Sequence, residues 1–179
     1  MRNKLTLAAL AVLGATALAC GGGNTVSPGD ESKLGAPAGA DDATNSTAVL
    51  TRNVGEPVEV TSATTDVSYT VTKTQTRAGS QFNKPNNGVW LLAYLEVQVS
   101  RGSSYVCSCE FSFIGVDGTV YESTAGLFDD RKEFVSADIA AGQKSAGWLF
   151  FDVPKEPEGK VQLKVPDLLG GDKYAYWTL

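Results

Sequence analysis

The stretch from Gly88 to Ser100, GVWLLAYLEVQVS, alternates with a strict period of two. Its odd positions, Val89, Leu91, Ala93, Leu95, Val97 and Val99, are all apolar. Its even positions begin apolar at Trp90, Leu92 and Tyr94 and end polar at Glu96, Gln98 and Ser100. A strand sends successive side chains to opposite faces, whereas a helix repeats near 3.6 residues. One face therefore belongs to a core along its whole length. The other is covered only over its first half. The stretch reads as the central strand of a β-sandwich.

Other runs share this period. Val58 and Val60 point inward from a run that Pro57 marks as an edge strand. Val67, Tyr69 and Val71 alternate with Ser68, Thr70 and Thr72, giving an apolar face and a hydroxyl face. Tyr105 to Val116 reads as one strand with Tyr105, Cys107, Cys109, Phe111 and Phe113 on one side. Ser145 to Val153 is a second strong strand, stopped by Pro154. Val161, Leu163 and Val165 alternate with Lys160, Gln162 and Lys164, and Lys173 to Leu179 closes the chain as a strand. Between them lie a Gly/Asn/Pro-rich loop from Arg77 to Gly88, the hairpin signal Asp117-Gly118, and turns at Ile139 to Gln143, Lys155 to Gly159 and Asp167 to Gly171. Leu127 to Glu133 is polar and reads as a short helical turn. No long stretch has a helical period. Seven or eight short strands broken by turns predict an all-β, antiparallel sandwich.

The first residues are of another kind. Arg2 and Lys4 precede an apolar run from Leu5 to Leu18, which is short for a bilayer span of about 20 residues. The run ends Ala17-Leu18-Ala19-Cys20. This resembles a bacterial lipoprotein signal, although the usual leucine three before the cysteine is Ala17 here. The resemblance implies cleavage after residue 19 and a diacylglycerol thioether on Cys20, two chains on one anchor and enough for stable attachment. The other reading is an ordinary secretory signal that leaves Cys20 as a free thiol. Residues 20–50 are rich in Gly, Ala, Ser, Thr, Asp and Pro, with little apolar surface to offset chain entropy. They read as a flexible tether. The expected organisation is a leader over 1–19, anchor and linker over 20–50, and one folded domain over 51–179.

Composition narrows the chemistry. Histidine is absent, which excludes Ser-His-Asp and Cys-His catalysis and every His-ligated metal site. The 20 acidic residues outnumber the 15 basic ones, which argues against a nucleic-acid partner. With Cys20 lipidated, Cys107 and Cys109 are the two remaining thiols. In an oxidising compartment they invite a disulfide. Residues two apart in an extended strand lie about 6.5–7 Å apart at Cα, at the edge of what a bridge spans, so a bulge is required. A disulfide, two thiols facing the core beside Phe111 and Phe113, and a redox or two-thiolate Cu(I) or Zn(II) pair all stay open. Asp129, Asp130 and Glu133, or Asp117 in its turn, lack the spacing of a Ca²⁺ loop and read as solvated surface. Trp90, Trp148 and Trp177 with Tyr94, Tyr174 and Tyr176 serve either as core or as the lining of a groove.

In order, GVWLLAYLEVQVS, FSFIGVDGTVY and IAAGQKSAGWLFFDVP resemble the extracytoplasmic family known as domain of unknown function 4352. The matching elements are Leu91 to Val99, Phe111 to Tyr121 and Ala141 to Pro154, and the likeness runs from Val54 to Leu179. It departs at Ser100-Arg101-Gly102, where family members often carry Asn. The resemblance implies an immunoglobulin-like sandwich and lends no catalytic residues. The expectation is a lipid-anchored extracytoplasmic module, non-catalytic and without cofactor or metal. It would be held at the membrane through Cys20 and bind an envelope protein or ligand. The alternative is a thiol-redox or metal-handling protein using Cys107 and Cys109.

Overall fold

The computed structural model describes residues 25–28, 49–126, 128–166 and 171–179. The leader, Cys20, the rest of the 20–50 linker, Leu127 and positions 167–170 of the expected loop lie outside the described residues. In chain order the strands are β1 (Thr25–Pro28), β2 (Leu50–Asn53), β3 (Pro57–Thr61), β4 (Asp66–Arg77), β5 (Val89–Arg101), β6 (Ser103–Val106), β7 (Phe111–Gly115), β8 (Val120–Glu122), β9 (Ala137–Ala140), β10 (Lys144–Val153), β11 (Gly159–Val165) and β12 (Lys173–Thr178). One sheet has the order β1-β3-β4-β5-β10 and the other β2-β12-β11-β7-β8; β6 and β9 pair beside them. All these strand pairs are antiparallel except β2 with β12. The result is an immunoglobulin-like β-sandwich.

The alternation in β5 does what its pattern requires. Leu91, Ala93, Leu95, Val97 and Val99 are buried between the sheets. They meet Val58, Val67, Val71, Leu149, Phe151 and Val153 of the same sheet and Phe111, Phe113, Val161, Leu163 and Trp177 of the other. Each Val, Leu or Phe side chain so removed from water contributes about 1.5–3 kcal/mol before chain entropy is counted.

The other face of β5 carries a second, smaller cluster of Trp90, Leu92, Trp148 and Phe150, with Tyr94 and Phe128 packed on it. Phe128 stacks on Phe150 at 5.3 Å and 13° and meets Trp90 edge-on. It comes from the segment between β8 and β9, which crosses the free edge of β10 as a strap. Thr124 N–H donates to the Phe150 carbonyl at 3.0 Å, and Phe134 N–H to that of Trp148 at 2.9 Å. Trp148 N–H in turn donates to the Lys132 carbonyl at 2.9 Å. Gly126 and Gly147 allow the approach, since a Cβ at either would press on Phe150 or on the Phe134 backbone. Of the helical turn expected over Leu127 to Glu133, the strap keeps one tight turn, in which Arg131 N–H donates to the Phe128 carbonyl at 3.0 Å, while the backbone on either side bonds to β10.

Several readings change. The described residues form twelve strands where alternation marks seven or eight, because β1, β2, β6, β8 and β9 are only three or four residues long. Thr25–Pro28 lies inside the stretch read as a linker, yet pairs with β3 in register from Thr25 opposite Thr61 to Pro28 opposite Val58. Pro57 therefore does not mark a sheet edge. It sits one residue beyond the β1 pairing, where its missing N–H is not needed. Ile139 to Gln143 is part strand, because Ala137–Ala140 pairs with β6. Tyr105 to Val116 is not one strand: the chain leaves β6 at Val106, makes a 3₁₀ turn over Ser108–Glu110 and enters the second sheet as β7.

Candidate functional site

The turn from β6 to β7 positions the most chemically distinctive group in the domain. Its backbone is closed by reciprocal capping. Cys109 N–H donates to the Cys107 sulfur at 3.1 Å, and Cys107 N–H reaches the Glu110 carboxylate at 3.5 Å. Ser108 N–H donates to Ser136 Oγ at 3.3 Å, tying the turn to the strap's far end. A disulfide joins Cys107 and Cys109, whose Cα atoms are 5.0 Å apart. The turn, not a bulge in an extended strand, brings them that close. Cys109 is exposed and Cys107 half-buried, so neither faces the core beside Phe111 and Phe113.

The same turn carries Glu110 into the mouth of the sandwich. A cleft of about 260 Å³ opens there between the sheets, walled by Val60, Val67 and Tyr69 on one side and Val165 on the other, with Ser104 and Glu110 among its polar groups. Burial lifts the Glu110 carboxyl above the ordinary glutamate range, opposed by the Cys107 N–H that favours the charged form. Tyr69 is 5% exposed. Burial first, and the Glu110 charge second, hold its hydroxyl in the neutral form well above neutral pH. Lys164 stands on the rim but is engaged by Asp172 at 2.7 Å. Among the described residues no cation pairs with Glu110. A half-buried carboxylate beside hydroxyls and apolar walls can accept hydrogen bonds from a donor-rich cation, which would offset the cost of holding a charge out of water.

The other candidates disperse. Asp130 is held by Arg77 through two bonds of 2.9 and 2.8 Å and by Arg131 at 3.0 Å, fixing the strap. Asp117 caps its own turn through Thr119 at 3.0 and 2.8 Å. No three metal-ligating side chains gather among the described residues. The aromatics do not share one groove. Trp177 is in the main core, its indole N–H donating to the Glu56 carbonyl at 2.9 Å. Trp90 and Trp148 lie under the strap, and the Tyr176 hydroxyl meets Gln162 on the outside of the second sheet at 2.8 Å. A wider hollow of about 780 Å³ opens at the opposite end, near Val116, Pro157 and Leu179. Its acid, Glu158, is exposed, so it has no charge to satisfy.

Glu110 and Tyr69 were not singled out from the sequence. The available signal was the spacing Cys-x-x-Glu, a capping pattern with cysteine where serine or threonine is usual. Tyr69 looked like any inward strand residue.

The fold is shared with a secreted protein from Mycobacterium tuberculosis, MPT63, with a TM-score of 0.59, covering 75% of this chain and 100% of that one at 21% identity. A candidate lipoprotein from Bacillus subtilis, ycdA, is similar with a TM-score of 0.50 at 19% identity, covering 63% of this chain and 36% of its own. No curated protein matches in sequence. The family described as domain of unknown function (DUF4352) matches residues 53–174, well over half of the chain, and the chain belongs to that family.

Proposed function

We propose that this chain is an extracytoplasmic, non-catalytic binding module, fixed to the bacterial cell membrane by diacylglycerol on Cys20, whose cleft takes the ammonium group of a small ligand. The observation that carries the binding role is the half-buried Glu110 carboxylate with no cation beside it among the described residues. The leader, and the secreted and lipoprotein descriptions of two proteins of similar fold, support the location. A primary ammonium ion brings three donors, enough for the carboxylate and neighbouring hydroxyls such as Tyr69 and Ser104. The apolar walls suit a short hydrocarbon or aromatic body.

The test compares benzylamine with benzyl alcohol, two probes of nearly equal shape and different charge. Benzylamine is expected to raise the melting temperature and benzyl alcohol to leave it unchanged. Glu110→Gln, which keeps an acceptor for the Cys107 N–H, is expected to abolish the response. Equal effects of the two probes, or an unaltered response in Glu110→Gln, overturns the reading.

One observation favours a second reading: the Cys107–Cys109 bridge is at the surface, with Cys109 exposed. An external thiolate attacking the Cys109 sulfur would leave Cys107 as thiolate, next to the Cys109 N–H. A second external thiol would complete a two-electron exchange that forms one external disulfide and two protein thiols. Loss of biological function in Cys107→Ser/Cys109→Ser with benzylamine binding intact would select this reading over the first.

A further inference from the structure

The strand β1 shortens the tether. Thr25 to Pro28 pair with Thr61 to Val58, Thr25 Oγ1 donates to the Thr61 carbonyl at 3.2 Å, and Val26 packs against the core. The chain is therefore gripped five residues after Cys20. Five residues span at most about 18 Å. Without β1, the chain from Cys20 to Leu50 could extend to about 100 Å. The gripped point is also at one particular end of the sandwich. Thr25 lies opposite the last residue of β3, where the chain turns through 62–65 into β4. Ser62 and Thr65 of that turn line the Glu110 cleft, together with Val60. The opposite end, with Val116 and Gly118, is separated from it by the length of β5, 13 residues or about 43 Å.

We infer that β1 seats the 62–65 end of the domain on the bilayer to which Cys20 is fixed, so that the Glu110 cleft lies at the lipid headgroup layer and the partner of this end is the membrane surface itself. This rests on the lipid anchor proposed above. The headgroup region adds only about 5–8 Å on each side of the hydrocarbon core. A tether of at most about 18 Å leaves little room between that layer and the turn. A domain so held samples headgroups before it samples soluble molecules.

The experiment uses the full-length lipidated protein in phosphatidylcholine vesicles containing a nitroxide-headgroup phosphatidylcholine. One variant, Thr64→Cys, carries a fluorophore in the turn, and another, Val116→Cys, carries it at the far end. Strong quenching at position 64 with none above background at position 116 is expected. Val26→Pro, which removes a strand N–H from β1, is expected to bring quenching at position 64 down to background while the protein still sediments with the vesicles. Equal quenching at the two positions, or quenching at position 64 that survives Val26→Pro, overturns the inference with the anchor intact. A mass spectrum showing Cys20 unmodified, with protein that washes off the vesicles, overturns it through its premise.

Discussion

Replacing both bridged cysteines tests whether the disulfide is a staple. Bridge stabilisation by loop closure grows with the enclosed chain, and here the bridged positions are only two apart. For a loop of three residues the chain-entropy expression gives about 1.6 kcal/mol, against about 3 kcal/mol for fifteen. In the Cys107→Ser/Cys109→Ser variant the new hydroxyl at position 107 can still accept the residue-109 N–H that the Cys107 sulfur accepts now. Serine caps recover up to about 1 kcal/mol. The expected net loss is therefore about 0.5–1.6 kcal/mol, a fall in melting temperature of roughly 2–6 °C for a domain of this size. Calorimetry of the double variant, and of the unaltered protein with and without a phosphine reductant, measures it. A fall beyond about 10 °C, or failure to fold, would refute the reasoning and make the bridge the clasp that holds the crossing from β6 to β7.

The remaining predictions concern charge, a loop and the strap. Burial raises the folded-state Glu110 value above its unfolded one, so the folded chain holds more protons between the two and loses stability as pH rises through that window. Glu110→Gln should raise the melting temperature at pH 7 and leave it unchanged below about pH 4; no gain at pH 7 refutes the burial cost. Asp152 accepts the Asn86 and Asn87 N–H groups at 2.7 and 2.9 Å. Asp152→Ala should cost about 1–3 kcal/mol and speed hydrogen exchange at those two amides while core amides stay protected. Phe128→Ala should cost about 1–3 kcal/mol and shift the Trp90 and Trp148 fluorescence to the red as the strap loosens; an unshifted spectrum would mean that the strap stays seated without it.

How much of this was legible turns on range. The parity of β5, β10 and β11 is written in consecutive residues, and burial follows it. The two-sided cover of Trp90 and Leu92 was legible too, but its agent was not. Phe128 lies 38 residues beyond Trp90, in a segment with no period of its own. In β4 the odd positions run Val67, Tyr69, Val71 and then Lys73, Gln75, Arg77. The change of character at fixed parity marks the bulge between Val71 and Lys73, which turns the second trio to the outer face opposite Tyr94, Leu92 and Trp90. The cysteines misled for the opposite reason. Tyr105, Cys107 and Cys109 extend the Phe111–Phe113 parity by coincidence, since a turn between sheets separates them. The cleft needed Glu110 from the 3₁₀ turn that leads into β7 and Val60, Val67 and Tyr69 from the first sheet, a meeting that no local pattern records.

The strap's bonds to β10 also set the order in which the protein fails. They occupy backbone groups that would otherwise be a template for a second copy. Loosening the strap around Phe128 exposes the Phe150 part of that template while the two-sheet core is still intact, because the Phe128 cluster lies outside that core and, of the strap's described side chains, Phe134 is the one buried in it. Self-association on warming should therefore begin from a nearly native species, with a lag that depends on protein concentration, before the cooperative melt is reached. The shelf life of a concentrated sample would then be governed by one surface segment and not by the stability of the sandwich.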